Sequence, residues 1–323
     1  MAHELVAAIL RGEERAIARA CRLIDDRRPG VRELLDALSA SSRGARVIGV
    51  TGSPGAGKSS LISGLVAQYR ALGQRVGVLA VDPSSTFTGG AILGDRVRMQ
   101  RHFGDPSVFI RSLATRGAQG GLSRSVQEHV VVLDAAGYEV IVIETVGVGQ
   151  DELDVIEVAE SIVLVVMPGT GDDIQAVKSG ILEIADVFVV NKADRDGADR
   201  AAFELEQRLE LGRAVSASQD RGAWQPPVLK CVALHDQGLP ELAAALARHR
   251  AWLDTPDGRS RSASRRRVAA ERLLLGLVCE GVATLLAPRL KAAAARVAER
   301  ELSPHRAAAE LLDRLIVREV SES

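Results

Sequence analysis

A glycine-rich turn between an apolar strand and a helix limits the folds open to this chain more than any other feature. The octapeptide that begins at Gly52 reads Gly-Ser-Pro-Gly-Ala-Gly-Lys-Ser, a full match to G-x-x-x-x-G-K-[ST]. The β-branched run 47–51 precedes it, and apolar residues at helical spacing follow it. Glycines let the loop turn several backbone N–H groups toward one point, and the N-terminus of the next helix favours an anion. The pattern therefore predicts a phosphate-binding loop in an α/β protein.

We expect the whole loop to bind a nucleotide. Lys58 is placed to reach the β- and γ-phosphates, which makes it a candidate catalytic residue, and the hydroxyl of Ser59 is suited to Mg²⁺. The candidate nucleotide-binding residues of the loop are Gly52, Ser53, Pro54, Gly55, Ala56, Gly57, Lys58, Ser59 and Ser60.

A tetrapeptide typical of guanine binding lies downstream, in Asn191-Lys192-Ala193-Asp194. It follows the apolar run 185–190, which predicts a buried parallel strand, and ligands bind at the carboxyl ends of such strands. The Asp194 carboxylate can accept hydrogen bonds from the N1–H and 2-amino groups of guanine, and adenine offers neither donor. We expect Asn191 and Lys192 to brace the loop and cover the base. The two motifs together predict a GTP-binding switch protein with GTP or GDP and Mg²⁺ as its ligands.

The sequence Glu144-Thr145-Val146-Gly147 occupies the place where a GTPase carries D-x-x-G. Glu144 ends an apolar strand, so we expect its carboxylate to face Mg²⁺, directly or through a water. Gly147 is expected to offer its N–H to the γ-phosphate. The next residue, Val148, stands where Ras-like proteins place a glutamine that orients water, and an apolar side chain cannot do this. Glu144 and Gly147 are thus candidate catalytic residues in a slow GTPase.

Two further acids flank a glycine-rich stretch. Asp82 ends the second predicted strand, and Asp95 follows the stretch 88–94. Two carboxylates around a flexible loop suit a metal-sensing switch, although Asp95 also fits a helix N-cap. The candidate metal ligands are therefore Ser59, Asp82, Asp95 and Glu144.

Composition limits the kinds of partner that this protein can bind and the cellular compartment that we expect for it. The net charge of −1 argues against a broad nucleic-acid or membrane surface, and the longest apolar run, 162–167, is too short to span a bilayer. The three cysteines are far apart and fit reduced core residues. With no secretory pattern at the N-terminus, we expect a cytoplasmic protein that binds neither nucleic acid nor membrane.

Alternating strand and helix patterns organise the middle of the chain. Candidate strands at 47–51, 76–81, 108–111, 140–144, 161–167, 186–191 and 228–233 alternate with helical stretches. This order predicts an α/β fold with a mostly parallel sheet covered on both faces. We therefore divide the chain into an N-terminal helical extension (1–43), a nucleotide-binding domain (44–255) and a C-terminal helical arm (256–323).

The C-terminal arm has its own pattern. The basic, serine-rich stretch 259–267 is expected to be a solvated linker, and Pro288 and Pro304 are expected to bound further helices. Leu274, Val278, Val282 and Leu285 fall on one face of a helix. Such an apolar face favours self-association or packing onto the rest of the chain, and spacing alone leaves both open.

Several longer stretches resemble the methylmalonyl-CoA mutase-associated G-protein chaperones (the MeaB type, long labelled arginine/ornithine transport ATPases). The similarity covers about residues 5–290 and rests on 81–85, 88–90, 93–96, 115–117, 144–150 and 171–180. The resemblance implies a SIMIBI-class P-loop NTPase fold with helical extensions at both ends, and a homodimer formed through the C-terminal helices. It further implies that Asp82, Asp95 and Glu144 are the Mg²⁺-associated acids, with switch loops at 83–95, 145–152 and 168–178.

The same resemblance implies a protein partner. Members of this type load and protect an adenosylcobalamin-dependent acyl-CoA mutase of the methylmalonyl-CoA mutase type, and an adenosyltransferase is a second candidate partner. The B12-binding pattern D-x-H-x-x-G is incomplete here, because Ala233 stands in the place of the aspartate before His235 and Gly238. We therefore expect the cobalamin to belong to the partner.

One position departs from the family. Relatives usually carry Ser-Ala in the fifth guanine motif, where this chain has Val232-Ala233. The contact there is a backbone N–H to guanine O6, so Ala233 remains a candidate nucleotide-binding residue.

Other functions remain open from the residues alone. A nickel-type metallochaperone GTPase shares the fold class but needs a Cys/His metal site. A P-loop small-molecule kinase or a transport ATPase shares the phosphate loop but not N-K-x-D. Nucleotide base preference would separate these classes.

Overall fold

The computed structural model describes residues 2–82, 99–114, 121–145, 147, 158–169, 179–215 and 222–321. Within these residues the strands are β1 (Arg46–Gly52), β2 (Val76–Asp82), β3 (Val108–Ala114), β4 (Val140–Glu144), β5 (Ser161–Val166), β6 (Val187–Asn191) and β7 (Val228–Cys231). The helices are α1 (Ala2–Leu10), α2 (Glu14–Asp25), α3 (Val31–Ser39), α4 (Lys58–Ala71), α5 (Gly121–Ala135), α6 (Ser179–Ile184), α7 (Ala198–Val215), α8 (Leu239–Leu253), α9 (Pro256–Ala298) and α10 (Pro304–Ser321).

The seven strands form one sheet in the order β3-β2-β4-β1-β5-β6-β7, and all of the described pairings between them are parallel. This arrangement confirms the α/β fold that the alternating pattern predicts. Strands β4, β5 and β6 are buried along their whole length, which explains why their sequences are continuous apolar runs. The carboxyl ends of β1, β4 and β6 lie at one edge of this sheet, where Gly52, Glu144 and Asn191 end their strands.

Two apolar layers cover the sheet. On one face the helices α1–α3 pack with α5 around Ile17, Leu38 and Leu133. On the other face α4 and α8 bury Leu65 and Leu242 against the sheet. Both layers consist mainly of Val, Leu, Ile and Ala, in keeping with an aromatic content of only 3%.

The chain divides into two compact units, residues 1–269 and 270–323. The first unit contains the sheet and helices α1–α8. Its last segment corrects one expectation: Arg259–Arg267 is not a linker but part of α9, because Arg261 and Arg265 form ion pairs with the buried carboxylate of Asp186. A basic run can therefore form a helix when a distant buried acid neutralises two of its charges.

The second unit holds the rest of α9 and α10. Pro288 lies inside α9 rather than at its end, and Cys279 is exposed rather than a core residue. Leu286 and Leu302 are buried within this unit, whereas Leu274, Val278 and Leu285 are more than 60% exposed. Judged by length and composition alone, α9 is apolar enough to cross a membrane, with a mean hydropathy of 1.7 over its most apolar window.

Candidate nucleotide-binding site

The phosphate loop connects β1 directly to α4. Lys58 is the first residue of α4, and its side chain is buried although it carries an amine. Its Nζ donates to the carbonyl oxygens of Gly52 (2.8 Å) and Ser53 (3.1 Å). The ammonium group is thus held over the loop that the sequence predicts for the phosphates, where the N-terminus of α4 adds further positive potential.

Two glycines of the loop have no substitute. Gly52 has a φ of 145° and Gly57 a φ of 89°, in the left-handed region that side chains avoid. A Cβ atom on Gly52 would overlap the carbonyl of Val165 in β5, and one on Gly57 would overlap the side-chain amide of Asn191. The loop therefore lies against β5 on one side and the guanine motif on the other.

Asn191 joins the two motifs. This residue is 2% exposed and ends β6. Its Nδ2 donates to the carbonyl oxygen of Ala56 (2.8 Å), and its Oδ1 accepts the backbone N–H of Ala233 (3.1 Å). A single amide thus connects the phosphate loop, the N-K-x-D motif and the segment of the fifth guanine motif, because it supplies both a donor and an acceptor.

Lys192 makes a second connection. Its Nζ donates to the carbonyl oxygen of Gly55 at 2.6 Å, and its backbone has a positive φ of 59°. That unusual backbone turns the chain sharply at the end of β6 and leaves Asp194 exposed two residues later. An exposed carboxylate two residues after a side chain that bonds to the phosphate loop is accessible to the base edge of a nucleotide.

The candidate metal position lies at the other side of the loop. The hydroxyl of Ser59 donates to Oε1 of Glu144 at 2.6 Å, and both side chains are buried. The register of β1 with β4 places Val50 beside Glu144, which brings the acid to the base of the phosphate loop. A buried carboxylate and a hydroxyl in contact form a hard, all-oxygen donor set, which fits Mg²⁺.

Gly147 is held beside this pair. Its carbonyl oxygen accepts hydrogen bonds from the hydroxyls of Thr51 (2.9 Å) and Thr145 (3.3 Å). Thr51 has a role that the sequence does not reveal, because a threonine in a buried strand is ordinary β-branched core. Its hydroxyl bonds Gly147, in the predicted second switch loop, to the end of β1.

Some of the predicted residues can be placed only in part. Asp82 is the last residue of β2, and the register of Ala80 with Glu144 puts it at the same edge of the sheet, but its side chain lies outside the described residues. Asp95, Val148 and most of the three switch loops also lie outside them. Within the described part of the chain, no group of three or more His, Cys, Asp or Glu side chains could hold a metal ion.

Comparison with known proteins identifies relatives along most of the chain. Residues 17–289 match the family described as methylmalonyl Co-A mutase-associated GTPase MeaB. A Pyrococcus abyssi protein named as a GTPase is 42% identical over 98% of this chain and 97% of its own length. GTPase ArgK of Escherichia coli is 36% identical over 75% of this chain and 74% of its own length.

Two further relatives add to this comparison. The mitochondrial methylmalonic aciduria type A homolog of Caenorhabditis elegans is 33% identical over 75% of this chain and 64% of its own length. The crystal structure of a LAO/AO transport system kinase superposes with a TM-score of 0.70, is 27% identical and covers 97% of both chains.

Proposed function

Because the chain belongs to the family of methylmalonyl-CoA mutase-associated GTPases of the MeaB type, we propose that it uses GTP hydrolysis to gate the loading of adenosylcobalamin into a B12-dependent acyl-CoA mutase and to protect that enzyme. The chain is a GTPase by this membership. The proposal goes further than this membership in naming a client enzyme, and an adenosyltransferase as a second partner.

The hydrogen bonds of Asn191 are the observation that carries the proposal of guanine-nucleotide binding. Its amide holds the phosphate loop at Ala56 and the fifth-motif segment at Ala233 at the same time. A nucleotide that spans the phosphate loop and Asp194 would therefore contact two elements that the protein has already fixed relative to each other. Such preorganisation favours affinity because less freedom is lost on binding.

Magnesium is part of the same proposal. Ser59 and Glu144 would hold the ion, with Asp82 and Asp95 as the further acids of the switch region. When bound, Mg²⁺ neutralises charge between the β- and γ-phosphates. We expect slow hydrolysis by the isolated protein, because Val148 cannot orient water and no arginine finger is assigned; Arg116 is the first residue to test.

A homodimer formed through residues 260–320 is the proposed assembly. The exposed leucines and valines of the second unit support it, because neighbouring apolar side chains that stay in water favour association. By length and composition alone, α9 is also apolar enough to cross a membrane. We propose that a second copy, in the cytoplasm, covers this face; light scattering of the full chain, together with flotation on neutral lipid vesicles, separates the two occupants.

The mutase role has a direct test. GTP turnover by the purified protein is measured alone and with each cobalamin-dependent acyl-CoA mutase of the host, and cofactor transfer is followed by the absorbance of cobalamin. We expect one mutase to accelerate hydrolysis and GTP to control transfer, since a switch acts on a partner only through contacts that differ between its states.

Variants in the predicted third switch loop (168–178) test the partner assignment. Substitution of Asp172, Asp173 or Lys178 should abolish the response to the mutase with GTP affinity nearly unchanged, and the exposed acid Asp199, on α7, gives the matched control Asp199→Asn. If no cobalamin-dependent mutase binds, or if these variants respond like the parent, the partner assignment fails and only the GTPase remains.

A further inference from the structure

A buried carboxylate at the far end of the sheet from the nucleotide site gathers an unusual set of partners. Asp186 is 0% exposed, and its oxygens accept the backbone N–H of Ile162 (2.9 Å) and the guanidinium groups of Arg261 (2.6 Å) and Arg265 (3.0 Å). Nε2 of His249 lies 3.4 Å from the same carboxylate. The two arginines belong to the first turns of α9, so this one carboxylate holds the start of that helix on the first unit.

Aromatic rings enclose the ion pairs. His249 lies 4.8 Å from the ring of Trp224 and is stacked on Trp252 at 5.6 Å. The Nε1–H of Trp224 donates to the backbone oxygen of Asp186 (2.8 Å), and Arg261 lies over the ring of Trp252. Asp186 itself is fully buried, whereas the side chains of Arg261 and Arg265 keep 30% and 25% of their surface exposed. The carboxylate would be costly to leave without these partners, because it lies where water cannot replace them.

The histidine in this shell is neutral and fixed. Desolvation by burial lowers the pKa of His249 to about 4; the carboxylate of Asp186 opposes this shift, and both arginines favour it. Its Nδ1 lies within hydrogen-bond distance (2.7 Å) of Oγ of Ser161, and its Nε2 lies on the side of Asp186. The arrangement of Ser161, His249 and Asp186 resembles the triad of a hydrolase. Ser161 is only 6% exposed and His249 is fully buried, so this serine offers no access to a substrate.

The position of the cluster in the sheet connects it to the nucleotide site through two strands. Asp186 immediately precedes β6, and Ser161 and Ile162 begin β5. At their carboxyl ends, β6 ends at Asn191 of the guanine motif and β5 ends at Val166, two residues before the predicted third loop (168–178). The helix start and the nucleotide-reading segments are therefore attached to opposite ends of two buried, mutually paired strands.

We propose that Asp186, Arg261 and Arg265 form a coupling latch that makes the hold on the start of α9 depend on whether GTP or GDP is bound. A shift of β5 or β6 along its length changes the fit of a carboxylate shared by two arginines, because ion pairs of this kind tolerate little displacement. Coupling of this kind is reciprocal: if the nucleotide state changes the latch, loss of the latch changes the ratio of GTP to GDP affinity by the same factor. The inference rests on the guanine-nucleotide binding of the proposed function: failure to bind nucleotide would overturn both, whereas an unchanged ratio of GTP to GDP affinity would overturn the latch alone.

The chain carries its own reporter for the test. Its two tryptophans, Trp224 and Trp252, both lie in the shell of the latch. Emission of the full-length protein is recorded with GDP and with a non-hydrolysable GTP analogue at saturation, and hydrogen exchange is measured over 256–269. We expect both signals to differ between the two nucleotides.

The variants distinguish coupling from mere structural support. In the pair Arg261→Met/Arg265→Met, calorimetry should give a GTP-to-GDP affinity ratio that differs from that of the parent by about fivefold or more, the lower end of ordinary allosteric coupling. Arg250→Gln is the matched control, because it removes a neighbouring ion pair with Glu160 (3.0 Å) without touching Asp186. Arg265→Lys retains the positive charge and replaces the double variant in the same affinity measurement if that variant does not fold.

Two outcomes overturn the proposal. One is an affinity ratio in the latch variants that equals that of the parent and of Arg250→Gln, even if their stability falls. The other is tryptophan emission and exchange over 256–269 that are the same with both nucleotides.

Discussion

Replacement of His249 tests how strongly burial of this imidazole controls the stability of the first unit. We expect His249→Gln to make the free energy of unfolding less sensitive to acid. Glutamine is neutral at every pH and can still bond to the hydroxyl of Ser161, so the substitution removes the titration and keeps a hydrogen-bonding group in place.

The size of the effect follows from the pKa of the imidazole. Desolvation lowers the pKa of His249 from 6.5 to about 4, so between these values the unfolded chain binds a proton that the folded chain refuses. The contribution to stability is fully present above pH 6.5, is lost as the pH falls, and stops changing below about 4. At about 1.4 kcal/mol per pKa unit, the total loss is roughly 3.5 kcal/mol.

Urea unfolding followed by tryptophan emission, at pH values from 7.5 to 4.5, measures this loss. His129 and His102 also have pKa values lowered mainly by burial, and they contribute equally in the parent and the variant. The exposed His305 gives the control His305→Gln. If the pH dependence of His249→Gln matches that of the parent, His249 is not held neutral by burial and the reasoning is wrong.

Four further substitutions test the nucleotide site. Gly57→Val should lower GTP affinity at least about tenfold by calorimetry, because a β-branched residue is strained at a φ of 89° and would overlap Asn191. Lys58→Ala should cost about 1.5–3 kcal/mol of GTP binding, and normal turnover in this variant would contradict the phosphate-loop assignment. Asp194→Asn should shift preference from guanine to xanthine nucleotides in a competition assay, whereas equal affinity of the parent for ATP and GTP would refute the role of this residue. Asn191→Ala should lower the free energy of unfolding by about 1–3 kcal/mol, because it leaves the carbonyl of Ala56 and the N–H of Ala233 without this partner.

The sequence alone predicts the architecture because the signals for it are local. Continuous apolar runs indicate buried parallel strands, and the structure has a strand at each of the seven predicted places. The phosphate loop is equally local, since its glycines are required by backbone angles within one turn. The guanine motif gains its meaning from the strand before it, which is also visible in the sequence.

The tertiary structure decided what distant residues do together. Nothing in the local pattern shows that Asn191 bonds to both Ala56 and Ala233, or that the hydroxyl of Thr51 holds Gly147. The arginine-rich stretch is the clearest case. Its sequence suggests a solvated linker because no aromatic residues lie between its arginines. It is helical, and Asp186, some 75 residues earlier, is buried where two of those arginines can reach it. Neutralisation of a buried acid depends on three-dimensional proximity, and the order of residues along a chain does not record that proximity.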